Sequence, residues 1–474
     1  MEKQINWLEE VSKRESQLLE DTKGLLSIPS ILDESTAREG APFGAEVANA
    51  IQYVTNLGAR DGFQTKNVDG YAMHVEMGEG SELIGVLAHV DVVPVGEGWT
   101  SPPFEPEIRD GRLYARGAID DKGPAMAAYY GMKLIHELGL PLSKRVRLIL
   151  GGDEESLWRC MKHYFAKEEM PSMGFTPDAD FPIINAEKGF YDIQANGTTA
   201  ASVTEAVEGV WTLESFQSGQ RVNMVPDLAT AVLVGEEDVF ELKEQFQDFL
   251  LQKGIQGYAE EANEHVTLVV RGVSHHGSEP EKGLNAALEL ARFLTTVKLD
   301  AVGGRYIKLI DSYLVDSFFG EKLGVAQEDE KTGALTVNAG VFNYTMGEGE
   351  GVRLNLRYPI SIDDDQLLEQ LREKLAVYDL EIIHYDRKRG HYLSPDHPLV
   401  STLSRVYEEQ TGDPAKLMAI GGATYARAAQ NCVAFGPLFP GRQEVAHQKD
   451  EFIEWEDMIR ATALYAQAIY ELAK

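Results

Sequence analysis

Two neighbouring carboxylates follow a short apolar run in the first third of the chain. Glu154 and Glu155 lie in residues 151–156, directly after residues 146–150. The apolar run predicts a buried strand, and the two glycines after it predict its end. Adjacent carboxylates on a turn repel each other, and a nearby metal ion relieves that repulsion. A solvated acidic turn is the simpler alternative, so other ligand-type residues have to decide between the two.

A second ligand-type pattern is His89-Val90-Asp91, which follows the apolar residues 84–88. Side chains two residues apart on a strand point the same way. Asp91 can therefore accept a hydrogen bond from one ring nitrogen of His89 and leave the other nitrogen for a metal. The alternative is a hydrogen-bonded core histidine without a ligand role.

Two further loops carry acidic residues. Asp120 and Asp121 lie in a glycine-rich loop before an alanine- and tyrosine-rich stretch, where carboxylates also serve as helix caps. Asp178 precedes a short apolar run at residues 183–184. Function gathers at the carboxyl ends of strands in parallel sheets, so we expect a set of ligands on one rim: His89, Asp120, Glu155 and Asp178.

Strands and helices alternate in the parts of the chain that hold these residues. Such alternation predicts an α/β fold, a mostly parallel sheet with helices on both faces. The pattern predicts helices within 5–27 and at 47–57, a helix that follows Asp121 and ends at 138, a helix at 399–411, a helix that begins within 421–427, and a last helix near the C-terminus. It also predicts a hairpin at 109–115 and strands at 84–88, 146–150, 183–184 and 433–435.

Residues 188–394 have a different pattern, with β-rich stretches such as 266–270 and two helices, at 238–252 and 284–296. The order is α+β, and the Gly-Glu tract at 347–351 predicts a hairpin loop. We therefore predict a metal-binding domain formed by residues 1–187 and 395–474, with an α+β domain inserted at 188–394.

The composition and net charge disfavour two classes of partner. The 474 residues are 43% hydrophobic and 25% charged, and the net charge of -32 disfavours nucleic acid and anionic membranes.

The two cysteines, Cys160 and Cys432, make no disulfide framework, which fits a reducing cytosol. The first residues lack the apolar core of a signal peptide, and no apolar run approaches the ~20 residues of a membrane span. We expect a cytoplasmic protein.

The motifs together resemble the two-metal aminoacylase and dipeptidase family of metallopeptidases, and within it the bacterial PepV-type dipeptidases (Xaa-His or carnosinase-like). The resemblance runs from about residue 20 to the C-terminus. It rests on five motifs in order: His89-Val-Asp91, Gly117-Ala-Ile-Asp120-Asp121-Lys-Gly123, Gly152-Asp-Glu154-Glu155-Ser156, Asp178 and His447.

The resemblance implies two divalent metal ions. His89 and Asp178 would hold one, Glu155 and His447 the other, and Asp120 would bridge them. Mixed nitrogen and oxygen ligands suit Zn2+, with Mn2+ or Co2+ as alternatives.

The resemblance also assigns the proton chemistry. Glu154 is implied as the general base that takes a proton from a metal-bridging water, and Asp91 would orient His89. In related enzymes the peptide bond between the two aspartates is cis, which predicts a cis bond at Asp120–Asp121.

The inserted domain carries one histidine that aligns with the family's His-Gly-Ser-x-Pro motif. That residue is His276, and its neighbour His275 does not align. The resemblance implies that His276 is the electrophile that stabilises the tetrahedral oxyanion. A polar surface histidine is the alternative.

Other residues are candidates for substrate binding. Arg357 and Asn223 are implied as partners of the substrate carboxylate, since a guanidinium binds a carboxylate bidentately. Arg357 in a buried structural ion pair stays an alternative. The turn at 421–424, with Gly422 and Thr424, could add backbone N–H donors at a helix N-terminus. Arg427 could either bind the substrate carboxylate or belong to a structural ion pair.

The resemblance thus predicts a dinuclear metallo-dipeptidase, a hydrolase that cleaves short unblocked peptides. By the same resemblance, residues 1–187 and 395–474 would form the catalytic metal-binding domain, and residues 188–394 would form an inserted α+β lid domain hinged near residues 187 and 394. The insert of about 200 residues matches the PepV type, in which the lid supplies the histidine within one chain, so the resemblance implies a monomer. An N-acyl-amino-acid deacylase would share the metal site and is the first alternative. A metal-bound peptide-binding protein is the second, although it would not need Glu154 as a base.

Overall fold

The fold comes from a computed structural model that describes residues 5–197, 210–235 and 238–474. The described chain divides into two compact units, each with its own hydrophobic core. The first unit consists of the residues up to Ala186, Tyr392–Ala419 and Ala423–Lys474. The second consists of Glu187–His391 together with Ile420–Gly422.

The α-helices of the described residues are α1 Trp7–Ser12, α2 Glu15–Leu26, α3 Ala45–Arg60, α4 Lys122–Glu137, α5 Arg159–Phe165, α6 Val239–Lys253, α7 Ala286–Leu294, α8 Ala301–Tyr313, α9 Asp364–Ala376, α10 Pro398–Thr411 and α11 Trp455–Ala473. None of them has the length and apolar character that crossing a bilayer requires.

The strands before the second unit are β1 Gln64–Val68, β2 Ala72–Met77, β3 Leu83–His89, β4 Glu107–Arg109, β5 Arg112–Tyr114, β6 Arg145–Gly151, β7 Met173–Thr176, β8 Ala179–Asp180 and β9 Ile183–Glu187. Those of the second unit are β10 Gly189–Gly197, β11 Thr212–Ser218, β12 Leu228–Val234, β13 Gln256–Ala262, β14 His265–Arg271, β15 Glu328–Asp329, β16 Gly333–Ala334, β17 Thr336–Thr345, β18 Gly349–Tyr358 and β19 Leu380–Lys388. The strands that follow are β20 His391–Tyr392, β21 Leu417–Ile420, β22 Cys432–Ala434, β23 Pro437–Leu438 and β24 Phe452–Glu454.

The main sheet of the first unit has the strand order β1-β2-β6-β3-β7-β22-β9-β20, and β21 pairs with β9. Its centre is parallel: β6 with β3, β3 with β7, and β7 with β22. Every residue of β3 is buried, which explains its continuous apolar sequence. The α/β prediction is confirmed, with antiparallel strands added outside the parallel centre.

Two long helices of the first unit pack against each other and against this sheet. Both α4 and α11 contact β3 and β6, and both are buried along most of their length. A Cβ atom at Gly131 of α4 would lie 3.0 Å from the backbone nitrogen of Ala466 in α11. Glycine at position 131 therefore allows the close approach of the two helices.

The second unit is built on an eight-stranded sheet with the order β13-β14-β12-β11-β17-β18-β10-β19. Every pairing along this order is antiparallel. Buried and partly exposed side chains alternate along β10 and β12, as in a sheet with one covered face. Helices α6, α7, α8 and α9 contact its strands, which confirms the α+β prediction.

Most predicted elements are present, including the hairpin of β4 and β5 and the loop between β17 and β18. Helices α8 and α9 were not predicted from the sequence. The predicted helix from residues 421–427 is wrong, because the structure has only a three-residue 3-10 turn there, Tyr425–Arg427. Thr424 caps this turn by accepting the N–H of Ala426, but the chain enters β22 at Cys432, which leaves little room for an α-helix.

Candidate active site

Three neighbouring strands of the first unit deliver several of the predicted ligands. His89 is the last residue of β3 and lies in register with Gly151, the last residue of β6. Asp178 follows β7, the other parallel neighbour of β3. The carboxyl ends of parallel strands meet at one edge of the sheet, so the side chains that follow them converge.

Asp120 lies between two histidines. Its Oδ1 is 3.1 Å from Nε2 of His89, and its Oδ2 is 2.9 Å from Nε2 of His447. Nε2 of His447 is also 3.1 Å from Oε2 of Glu155, and Nε2 of His89 is 3.8 Å from Oδ2 of Asp178. The structure thus brings together the five residues that the resemblance proposes as metal ligands.

Glu154 belongs to the same cluster. Ligand atoms of His89, Glu154 and Asp178 all lie within 4.8 Å of one another. The same limit holds for a second trio that shares one member with the first: His89, Asp120 and Glu155. Two overlapping groups of donors therefore surround His89.

One other acidic cluster occurs among the described residues, at the N-terminus of α9. Asp363 caps this helix by accepting the N–H groups of Asp365 and Gln366. Asp364 and Asp365 pair with Arg387. Helix capping and ion pairing account for this cluster, which needs no metal.

The donors around His89 fit divalent metal ions. Nε2 of His89 is buried and makes no hydrogen bond within the described part of the chain, although two carboxylate oxygens lie 3.1 and 3.8 Å away. Burial, reinforced by neighbouring carboxylates, raises the pKa of Glu154 to about 8. The same causes raise the pKa of Asp178 well above its ordinary value. Carboxylates packed in this way ionise together when a cation compensates their charge.

Asp91 contacts His89 more closely through its backbone carbonyl than through its carboxylate. Nδ1 of His89 lies 2.9 Å from the backbone carbonyl of Asp91 and 3.6 Å from its Oδ1. The two carboxylate oxygens instead accept the backbone N–H groups of Glu154, at 3.1 Å, and Glu155, at 3.0 Å. The carbonyl orients the ring of His89, and the carboxylate holds the acidic turn.

Asp121 does not cap α4 with its side chain, so the capping alternative does not hold for this residue. Its Oδ2 accepts the backbone N–H of His89 at 3.1 Å. The peptide bond Asp120–Asp121 is cis, which confirms the prediction.

Asp153 is a positioning residue that the sequence analysis missed. Its side chain is buried and accepts hydrogen bonds from the hydroxyl of Ser156 at 2.5 Å and from the backbone N–H of Arg159 at 2.9 Å. The guanidinium of Arg159 donates to both carboxylate oxygens. Asp153 therefore closes the turn that carries Glu154 and Glu155. An acid followed by serine at +3 is the one signal that could have indicated it.

His276 and Asn223 lie together in the second unit. His276 is exposed and forms an isolated antiparallel bridge with Met224, and the carbonyl of Asn223 accepts the N–H of Gly277 at 2.7 Å. Nδ1 of His276 accepts the backbone N–H of Ser278 at 3.2 Å. A neutral ring in this arrangement carries its proton on Nε2.

Arg357 also belongs to the second unit and is buried. Its Nε donates to Oδ1 of Asn355 at 2.9 Å, and its Nη1 donates to the carbonyl of Gly421 at 3.0 Å. Its guanidinium lies 4.7 Å from the centre of the Phe190 ring. Gly422 follows Gly421 in the same unit, whereas Thr424 and Arg427 belong to the first.

Comparison with known sequences decides the family. The model of peptidase family M20/M25/M40 matches residues 85–471. The chain belongs to this family. It is therefore a peptidase, a hydrolase that acts on peptide bonds, as its motifs predicted.

Relatives in this family match over nearly the whole length. Putative dipeptidase YtjP of Bacillus subtilis (strain 168) is 48% identical over 470 residues, which cover 99% of this chain and 100% of the relative. A Putative dipeptidase of Staphylococcus epidermidis (strain ATCC 12228 / FDA PCI 1200) is 40% identical over 468 residues, 98% and 99% of the two chains.

Solved structures share the fold at low sequence identity. Human carnosine dipeptidase 1 has a TM-score of 0.57 at 12% identity, with 98% of each chain covered. Aminoacylhistidine dipeptidase from Vibrio alginolyticus has a TM-score of 0.59 at 13% identity, with 96% of each chain covered. These two likenesses establish the fold.

Proposed function

We propose that the protein is a metal-dependent dipeptidase that hydrolyses short unblocked peptides. The observation that carries this proposal is the placement of Asp120 between His89 and His447, with Glu154 in the same cluster. The relatives with 48% and 40% identity carry dipeptidase names over nearly the same length, which supports dipeptides as the substrate class. These relatives do not favour the alternative of an N-acyl-amino-acid deacylase.

Five residues would hold two divalent ions. In this proposal His89 and Asp178 would hold one ion, Glu155 and His447 would hold the other, and Asp120 would be shared between them. The distances between Asp120 and the two imidazoles support the bridge. Two imidazoles among carboxylates suit Zn2+, and Mn2+ or Co2+ are the alternatives.

When bound, the ions supply Lewis acidity, which polarises the peptide carbonyl and lowers the pKa of the attacking water. Glu154 takes the proton of that water and passes it to the leaving amine. Asp91 holds the backbone of Glu154 and Glu155, so the base and a ligand keep a fixed spacing. Nδ1 of His89 is engaged by the carbonyl of Asp91, which leaves Nε2 for the metal.

The second unit would contribute to substrate binding. His276 donates from Nε2 to the oxyanion of the tetrahedral intermediate, a role that the hydrogen bond from Ser278 to Nδ1 supports. Arg357 and Asn223 bind the carboxylate of the substrate. Backbone N–H groups near Gly422 and Thr424 assist, and Arg427 either binds the substrate carboxylate or belongs to a structural ion pair.

We further propose that residues 188–394 act as a lid on the catalytic domain and that the protein works as a monomer in the cytoplasm. Both cysteines, Cys160 and Cys432, are buried and form no disulfide, which agrees with a reducing compartment.

A hydrolysis assay on metal-stripped protein tests the function. Zn2+, Mn2+ or Co2+ is added back, and a free dipeptide, its N-acetylated form and a tripeptide are compared. Glu154→Ala and Glu154→Gln are assayed beside the parent, and bound metal is measured in each. We expect cleavage of the free dipeptide only, and loss of activity with metal retained in both variants.

Two results would contradict the proposal. Preference for the N-acetylated compound would move the substrate class to a deacylase while leaving the metal site intact. Absence of cleavage with every metal would identify a peptide-binding protein, and the role of Glu154 as a base would then be wrong.

A further inference from the structure

One fully buried carboxylate has no place in the mechanism above. Glu451 lies four residues after His447 and directly before β24, and its side chain is inaccessible to solvent. A buried carboxylate is costly unless hydrogen bonds satisfy its oxygens. The partners of Glu451 therefore show what it holds in place.

Three of its four donors are backbone N–H groups of the loop that carries Asp120. Oε1 accepts the N–H of Ile119 at 3.0 Å and that of Asp120 itself at 3.2 Å. Oε2 accepts the N–H of Gly117 at 3.1 Å. Convergent N–H groups of this kind form an anion-binding concavity, here filled by the chain's own carboxylate.

The fourth donor, the guanidinium of Arg116, connects Glu451 to the loop that carries His447. Nη1 of Arg116 donates to Oε2 of Glu451 at 2.6 Å. Nη2 of Arg116 reaches the carbonyl of Pro94 at 3.4 Å and that of His447 at 3.5 Å. Arg116 is itself buried, and the ring of Trp99 lies 5.2 Å from its guanidinium.

The strands behind these loops explain why one side chain reaches both. β5 runs into the loop with Asp120, and β24 follows the loop with His447. The two strands pair antiparallel, with Tyr114 opposite Phe452. The N–H of Ala115 donates to the carbonyl of Glu451 at 3.1 Å, which continues the pairing into the loops.

We infer that Glu451, with Arg116, is a positioning residue that sets the spacing between Asp120 and His447. It acts through backbone groups of both ligand segments and does not touch the metal or the substrate. The inference rests on the proposed function, since it assigns Glu451 to the metal centre of that site.

Glu451→Gln is the direct test, because the substitution keeps the size of the side chain and replaces one acceptor oxygen by an amide NH2. In either orientation of the new amide, its NH2 group faces two N–H donors and cannot accept a hydrogen bond from them. Groups that orient metal ligands typically contribute about 10- to 100-fold to metal affinity or activity. We expect Glu451→Gln to bind Co2+ about 10- to 100-fold more weakly than the parent.

Two further variants separate positioning from folding. Glu454→Gln is the matched control, because Glu454 pairs with Arg112 at 2.9 Å across the same two strands and, among the described residues, makes no hydrogen bond or ion pair with residues 116–120. Arg116→Gln combined with Glu451→Gln removes both charges and leaves no unpaired buried ion, so we expect the double variant to fold even if the single change prevents folding.

The measurements are the affinity of metal-stripped protein for Co2+ by titration calorimetry, the visible absorption of the Co2+ form, and the thermal midpoint without metal. Weakened binding and a shifted Co2+ spectrum in Glu451→Gln and in the double variant, with Glu454→Gln unchanged, would support the inference. In the active enzyme, kcat should fall in these variants with little change in KM.

Parent-like affinity and spectrum in Glu451→Gln or the double variant would overturn the inference, even if the thermal midpoint falls. If neither variant folds, Glu451 has only a structural role and the inference is wrong. If the parent binds Co2+ but cleaves no dipeptide, the proposed function fails, whereas the role of Glu451 is still decided by the affinities and spectra.

Discussion

Nδ1 of His89 contacts the backbone carbonyl of Asp91, at 2.9 Å, more closely than its carboxylate, at 3.6 Å. The carboxylate is thereby left to accept the N–H groups of Glu154 and Glu155. A change at position 91 should therefore disturb the acidic turn more than the tautomer of the histidine.

Asp91→Asn should lower kcat by about 10- to 100-fold, the range seen when partners of metal ligands are changed. Asparagine offers one acceptor oxygen, so one of the two N–H groups of the turn meets an NH2 donor. The measurement is steady-state kinetics on a dipeptide, with bound metal determined in parallel. Asp110→Asn, in the exposed hairpin turn between β4 and β5, is the control. Unchanged kinetics in Asp91→Asn would contradict this role.

Removal of His447 should weaken the binding of one metal ion, whereas a change at Asp120, the proposed bridging ligand, should weaken the binding of both. His447→Ala deletes a proposed ligand that contacts Asp120 and Glu155, whereas His89 and Asp178, the proposed ligands of the other ion, remain in place. We expect this variant to retain one tightly bound ion per chain and Asp120→Asn to retain neither. Elemental analysis after gel filtration gives the stoichiometry. Equal metal content in the two variants would argue against the bridging role of Asp120.

The adjacent histidines of the second unit provide a matched comparison. His276→Ala should lower kcat by about 100- to 1000-fold, as when one oxyanion donor is removed, with metal content unchanged. His275→Ala should behave like the parent. The test is the ratio of kcat values for the two variants under saturating dipeptide. A larger loss in the His275 variant would reverse the assignment.

His74 should make the metal-free protein less stable in acid. Burial, with the nearby charge of Arg147, lowers the pKa of His74 to about 4, and its Nδ1 lies 2.7 Å from the hydroxyl of Tyr164. The unfolded chain takes up a proton near pH 6.5, whereas the folded chain does so only near pH 4. Stability should therefore fall by about 2 to 3 kcal/mol as the pH drops between these values.

Urea unfolding of the metal-free protein at several pH values between 7 and 4 measures this loss. In His74→Asn the contribution should be absent, so the fall in unfolding free energy below pH 6.5 should be smaller by that amount. Identical pH profiles for parent and variant would show that His74 is not the group that titrates.

The sequence allowed the rim of the sheet to be predicted, because continuous apolar runs mark buried parallel strands and place the residues after them at one edge. It did not reveal α8, whose first turn contains Gly303 and Gly304, residues that weaken any helical pattern. Asp300 compensates by accepting two N–H groups at the start of that helix. The spacing of His89 and Asp91 also could not show which group of Asp91 contacts Nδ1 of His89, its backbone carbonyl or its carboxylate. Spacing along a strand predicts the direction of a side chain but not the distances between its atoms and a neighbouring ring.

The strand order of the first unit has a consequence for how the chain folds during synthesis. β22 lies between β7 and β9 in the sheet, yet it is synthesised only after the whole segment Glu187–His391. A growing chain can complete most of the second unit first, while the main sheet of the first unit still has an open slot. His447 is translated later still, so a chain that ends before residue 447 would contain four of the five proposed ligands and would lack the fifth.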